Sequence, residues 1–193
     1  MTGRTHDTAA LTLLGIVAMV YPPQSMTLAT VLVALLANQI GGIAPDIDQP
    51  TAPFWRNLPV AGLLGRTMGK LLGGHRFLTH SLFGVWLLGW LGNWLLIFLQ
   101  PIMPKVDIGI VWWAFMIGII SHLIMDTFTK EGVPWLLPLP FKLGLPPIRA
   151  LRITTGKWVE NGLVFPVLLL INIVLFSTYY PQIAAFVQLH VKP

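Results

Sequence analysis

The chain has 193 residues, 55% of them hydrophobic and 10% charged, where soluble domains carry about 25% charged residues; this excludes a soluble globular class and predicts an integral membrane protein built as one domain over residues 1–193. It contains no cysteine, which excludes disulfides, thiolate metal sites and cysteine nucleophiles and leaves imidazole and carboxylate as the strong ligands. The net charge is +5 and the pI about 9.9, but the basic residues lie between apolar runs, so an anionic membrane surface explains them and nucleic acid is not expected as a partner.

Arg4, His6 and Asp7 precede a first apolar run over residues 8–21. It is short for a span, which needs about 20 residues, and reads as a retained helix because no small-residue cleavage pattern follows it. Tyr21-Pro22-Pro23-Gln24-Ser25 breaks the chain, since proline cannot continue a helix interior. A second run extends from Met26 to Ile43 and carries Asn38 and Gln39 near its end. Gly41-Gly42 and Pro45 stop it, and Asp46 and Asp48 follow in a spacing that suits metal or phosphate chemistry and equally suits simple capping. Residues 58–72 place Val60, Leu63, Leu64, Met68, Leu71 and Leu72 at helical spacing. They predict an amphipathic helix, lying either on the headgroups or against the bundle.

Gly73-Gly74-His75-Arg76-Phe77-Leu78-Thr79-His80-Ser81 opens a third span over 81–100. The paired glycines permit close backbone approach, and two histidines five residues apart favour a site over a lone hydrogen-bonding group. After a turn holding Pro101, Pro104 and Lys105, a fourth span over 108–125 ends in His122 and Asp126. Residues four apart on a helix share one face, so an imidazole and a carboxylate there can bind one ion, or two neighbouring ions, or merely hydrogen-bond. Residues 127–160 are proline-rich and too long for an ordinary connection, which suggests a lid or cover. Glu160 stands at the threshold of a fifth run over 161–180, and His190 looks incidental.

Five spans joined in this way put the N-terminus, residues 44–79 and residues 127–160 on one side. That side receives Arg4, Arg56, Arg66, Lys70, Arg76, Lys130, Lys142, Arg149, Arg152 and Lys157, while only Lys105 and Lys192 fall on the other. The asymmetry assigns the basic side to the cytoplasm. His6, His75, His80, His122, Asp46, Asp48, Asp126 and Glu160 gather on that same side. Their convergence predicts a divalent-metal site, with zinc favoured and manganese or iron compatible, and two ions easier to rationalise than one.

Thr5-His6, Ala44-Pro45-Asp46-Ile47-Asp48, the His75 to Ser81 segment and the run S-H-L-I-M-D-T-F-T-K-E-G-V-P-W-L-L-P from Ser121 to Pro138 carry a resemblance. Together they resemble the inner-membrane metal-dependent hydrolases of bacteria and archaea, a family with LexA-regulated members, over about residues 5–165. Gln49-Pro50 departs from the family pattern, which often places a histidine or another polar group there. The resemblance implies hydrolysis and points to Asp46, Asp48, His75, His80, His122 and Asp126 as motif positions. A more distant likeness is to zinc-dependent phospholipase C. The expected chemistry is attack of a metal-activated water on a phosphoester, of phospholipid or polyprenyl-phosphate type, with Arg76 offsetting charge and Glu160 serving as ligand or general base. The alternative is a transporter or lipid carrier with a cytoplasmic cation site.

Overall fold

The computed structural model describes residues 1–23, 26–49, 67, 76–139 and 141–191. The amphipathic helix expected over 58–72 falls outside them, apart from Thr67, and so does His75. The architecture is all-helical. Among the described residues five long helices form: α1 (Gly3–Val20), α2 (Leu28–Ile43), α3 (Leu82–Leu99), α4 (Ile108–Thr127) and α5 (Phe165–Val191). Among the described residues no strand forms beyond the isolated bridges Thr129–Ile153 and Val133–Leu143.

Local chemistry sets the starts of these helices. Thr27 caps α2 by accepting from the Thr30 amide at 3.1 Å, Ser81 caps α3 by accepting from Gly84, and Asp107 caps α4 by accepting from Gly109 and Ile110. Each satisfies donors that the first helical turn leaves orphaned. At the far end of α2, Pro45 turns the helix into a tighter 3-10 segment, Ala44–Asp48.

Among the described residues four stretches are long and apolar enough to cross a membrane: Leu28–Asp48, Leu82–Ile102, Ile108–Thr127 and Glu160–His190. At 1.5 Å per residue, about 20 residues match a hydrocarbon core of about 30 Å. Of the five expected spans, the last four are these stretches, while the first run forms the long helix α1 without being among them. In α1 the helix begins at Gly3, so Arg4, His6 and Asp7 occupy its first two turns and shorten its apolar part.

The interior is built for lipid surroundings. Its buried side chains include more polar than apolar ones, whereas Trp86, Trp90 and Trp94 of α3 and Leu170, Ile173 and Val174 of α5 face outward. Hydrocarbon outside gives apolar residues no reason to turn inward, so helices associate through small residues and hydrogen bonds. The α2–α4 contact is the most extensive. A Cβ on Gly41 would fall on the Phe115 carbonyl oxygen, and one on Gly118 would fall on that of Asn38. Asn38 adds a bond from its side-chain amide to the Ala114 carbonyl at 3.0 Å.

Residues 127–160 fold back over the helix ends and are pinned there. The Leu145 amide donates to Thr127 O at 2.8 Å, Lys130 to Ile153 O at 3.0 Å, and Ile153 to Phe128 O at 3.0 Å. The Leu82 amide at the start of α3 donates to Trp135 O at 3.0 Å. The expected cover is therefore a folded cap on α3 and α4. It closes the end of the bundle where α1 begins, α2 ends, α3 begins, α4 ends and α5 begins.

Candidate metal centre

His122 and Asp126 lie on the last turns of α4, with His122 Nε2 3.6 Å from Asp126 Oδ2. The tautomer of His122 follows from its other nitrogen, which lies 2.6 Å from the carbonyl oxygen of Gly42. A carbonyl only accepts, so Nδ1 donates, and in the neutral ring Nε2 then presents its lone pair. The close approach of α4 to α2 at Gly41, Gly42 and Gly118 makes this bond possible.

His80, in the turn before α3, reaches the same point from the opposite side. Its Nε2 is 3.7 Å from Asp46 Oδ1 and 3.7 Å from Asp126 Oδ2, and Asp46 Oδ1 is 3.6 Å from His122 Nε2. Burial pushes the His80 imidazole below the ordinary histidine range, with Asp48 pulling the other way, so it is in the neutral form that a metal ligand requires.

Asp46 Oδ1 and Asp126 Oδ2 thus each stand near both His80 Nε2 and His122 Nε2. Tetrahedral zinc with bonds of about 2.0–2.1 Å would separate its ligand atoms by about 3.3 Å. The measured separations of 3.6–3.7 Å exceed that by a few tenths of an ångström and are too long for direct hydrogen bonds. His122 Nε2 is buried and has no hydrogen-bond partner among the described residues, and the same holds for both ring nitrogens of His6. Buried nitrogens of this kind are rarely left unsatisfied. The Asp46, His80 and His122 ligand atoms could therefore hold a divalent ion.

His6 approaches from α1. Its ring stacks on that of His122 with centroids 3.8 Å apart and planes 9° apart, and its Nε2 lies 3.3 Å from Asp126 Oδ1. His6, His122 and Asp126 make a second potential ligand triad beside Asp46, His80 and His122. The Met1 nitrogen also pairs with Asp126 Oδ1.

The remaining residues singled out in the sequence take other positions. Asp48, fully buried, lies on the far side of the His80 ring, 3.6 Å from Nδ1. It accepts from the Arg76 amide at 3.0 Å and from the Thr79 hydroxyl. The Arg76 guanidinium is buried against the site: Nη2 is 2.7 Å from Asp126 Oδ2, and Nη1 donates to Thr129 Oγ1 at 2.8 Å. Its backbone adopts φ 56°, a left-handed conformation that costs a non-glycine residue about 1–2 kcal/mol and persists because both ends of the residue are tied down. Glu160 is fully buried and accepts four hydrogen bonds, from the Thr2 amide, the Thr2 and Thr5 hydroxyls and the Gly156 amide. His190 bonds only within α5, to Phe186 O.

Sequence reasoning passed over Thr5, Thr79 and the Gly42 carbonyl. A signal for the threonines existed, because His6 and His80 are each preceded by threonine and His122 by serine. The serine hydroxyl bonds within α4, to Gly118 O.

Comparison with known proteins agrees with this picture. The chain is similar to the uncharacterized protein YvsG of Bacillus subtilis (strain 168), 27% identical over 180 residues that cover 93% of this chain and 94% of that protein. No solved structure matches, and the distant likeness to phospholipase C gains no support. The model of the YdjM inner membrane protein family matches residues 1–184, nearly the whole length and every helix end that builds the site, and with four span-forming helices the chain is a multi-pass inner-membrane protein that belongs to that family.

Proposed function

We propose that the protein is a metal-dependent hydrolase working at the cytoplasmic surface of the membrane, with zinc the favoured ion and a phosphoester of phospholipid or polyprenyl-phosphate type as substrate. The observation that carries this reading is the four-atom set of Asp46, His80, His122 and Asp126 beside a buried arginine. Two imidazole nitrogens and two carboxylate oxygens suit zinc and are compatible with manganese or iron. A divalent ion held there supplies Lewis-acid activation of water and neutralises charge developing at phosphorus.

The chain's own groups supply the rest. Asp126 directs Oδ2 to His80 and His122 and Oδ1 to His6, so its two oxygens can serve two ions. His122 can serve only one, since Nδ1 is committed to Gly42. A second ion therefore depends on His6 and Asp126 Oδ1. The Nε of Arg76 is buried without a hydrogen-bond partner among the described residues, which leaves a guanidinium donor for an anionic substrate group. The basic residues of 127–160 on the same face support the cytoplasmic orientation. A carrier would be expected to hold its coupling groups near the bilayer midplane, whereas these groups occupy helix ends.

The test is the zinc and manganese content of detergent-purified protein, followed by phosphate release from lipid phosphates. Near-stoichiometric metal with metal-dependent release supports the hydrolase. Failure to retain or rebind either metal overturns it. Arg76→Lys keeps the charge but loses the planar fork. It is expected to lower kcat/KM for a lipid phosphate by about 10- to 100-fold, the value of a charge-assisted hydrogen bond, while metal content stays unchanged.

A further inference from the structure

We infer that Glu160 is the positioning residue for His6, acting through the first turn of α1; this rests on the metal reading above. Glu160 opens a π-helical turn, Glu160–Val164, immediately before α5. Such turns recur at functional sites because the extra residue re-aims a side chain. Here the carboxylate is directed at the N-terminus of α1. Thr2, the residue before that helix, makes no side-chain cap of its own, and Glu160 Oε1 takes over the role, accepting from the Thr2 amide at 2.6 Å and its hydroxyl at 2.7 Å. A carboxylate at a helix N-terminus is also favoured by the aligned peptide dipoles.

The same oxygen accepts from the Thr5 hydroxyl at 2.8 Å, and Thr5 is the residue immediately before His6. Oε2 is held by the Gly156 amide at 2.7 Å, which anchors the carboxylate to the cap. Two further struts from the same stretch grip α1: Arg4 Nη2 donates to Asn161 Oδ1 at 2.8 Å, and the Arg4 guanidinium lies 4.9 Å above the Phe165 ring. Oε1 of Glu160 is thus committed to the start of α1 and Oε2 to the cap that anchors it. His6 itself has no hydrogen bond to its ring among the described residues, so beyond its stacking on His122 and its approach to Asp126 its position depends on the backbone that carries it.

The arrangement has a counterpart within the site. Asp48 accepts from the Thr79 hydroxyl, and Thr79 immediately precedes His80. In both cases a buried carboxylate holds a threonine whose neighbour is a histidine aimed at Asp126. Outer partners of metal-binding histidines commonly change metal affinity by about 10- to 100-fold.

The experiment is zinc titration of the full chain in detergent, comparing wild type with Thr5→Val, Thr5→Ser, Glu160→Gln, His6→Ala and the His6→Ala/Glu160→Gln double variant. Thr5→Val removes the hydroxyl at nearly constant volume and is expected to weaken the His6-dependent zinc affinity about 10-fold, while Thr5→Ser restores it. Glu160→Gln is expected to weaken affinity by about 10-fold or more, and the double variant should be no weaker than His6→Ala alone. A general loss of structure would instead add to the His6 effect. If wild type binds zinc and both Thr5→Val and Glu160→Gln bind it equally well, Glu160 has no positioning role and the metal reading stands. Additive losses in the double variant also overturn the positioning role. If wild type binds no zinc, the metal reading falls and this inference falls with it. Should Glu160→Gln fail to fold, the Thr5→Val and Thr5→Ser pair decides the matter by itself.

Discussion

Asp126→Ala is expected to abolish zinc retention and to destabilise the protein by about 3–5 kcal/mol, the usual cost of removing one partner from a buried ion pair. Asp126 is 1% exposed and its Oδ2 lies 2.7 Å from the Arg76 guanidinium, itself 5% exposed. Without the carboxylate that cation is left buried, and only Thr129 and the largely exposed Glu131, 3.4 Å away, remain near it. The same substitution takes one oxygen from the His80–His122 side of the centre and another from the His6 side. Thermal unfolding in detergent measures the first effect and metal analysis the second. Adding Arg76→Met to Asp126→Ala removes the orphaned cation, and should recover much of the lost stability while leaving the metal lost. Recovery of metal in that double variant, or loss of metal without any loss of stability in the single one, would contradict this account of Asp126.

Gly118→Ala is expected to cost about 3 kcal/mol, at the upper end of overpacking penalties. The reason is the identity of the atoms it meets: a Cβ there would fall on the Asn38 carbonyl oxygen, 2.7 Å from the Gly42 amide nitrogen and 3.0 Å from the Gly41 carbonyl carbon. All three belong to the backbone of α2, so no side chain can swing aside and the helix must move. That movement lengthens the bond from His122 Nδ1 to Gly42 O, so weaker zinc binding should accompany the lower unfolding temperature. Gly15→Ala is the control. Its Cβ would meet Leu175 Cδ1 at 3.1 Å, a flexible side-chain end, and alanine favours a helix over glycine by up to about 1 kcal/mol. A Gly118→Ala variant as stable as Gly15→Ala would show that α2 and α4 do not require this contact.

Much of the centre was legible in the sequence because it depends on periodicity. His122 and Asp126 sit four apart in a helix that hydropathy alone delimits, whereas the Gly41-Gly42 pair, expected to stop the second run, lies inside α2 where that helix meets α4. The division between Asp46 and Asp48 was not legible. Both follow Pro45 in a 3-10 turn, where each residue advances about 120°, so two aspartates two positions apart point about 120° away from each other. Asp46 meets the ligand atoms, and Asp48 turns behind His80. Spacing taken as a loop carries no such angle. Glu160 was legible as a polar residue at a helix threshold, but its direction depends on a π turn, which leaves no hydropathy signature. The count of spans strayed at α1 for a related reason. Hydropathy locates where the apolar residues are, whereas the start of the helix is set by acceptors, and here Glu160, in the turn before α5, accepts from the Thr2 amide.

That tie between α1 and Glu160 also has a meaning for biogenesis. Residues 2 to 6 emerge from the ribosome first, and the carboxylate that orients them emerges more than 150 residues later. Until the last helix is threaded into the bilayer, the histidine on α1 has no fixed bearing and the centre lacks one of its walls. A nascent chain halted partway carries imidazoles and carboxylates without the assembled pocket. On the metal reading proposed above, a complete centre thus needs the last segments of the chain as well as the first, because Glu160 holds Thr2 and Thr5.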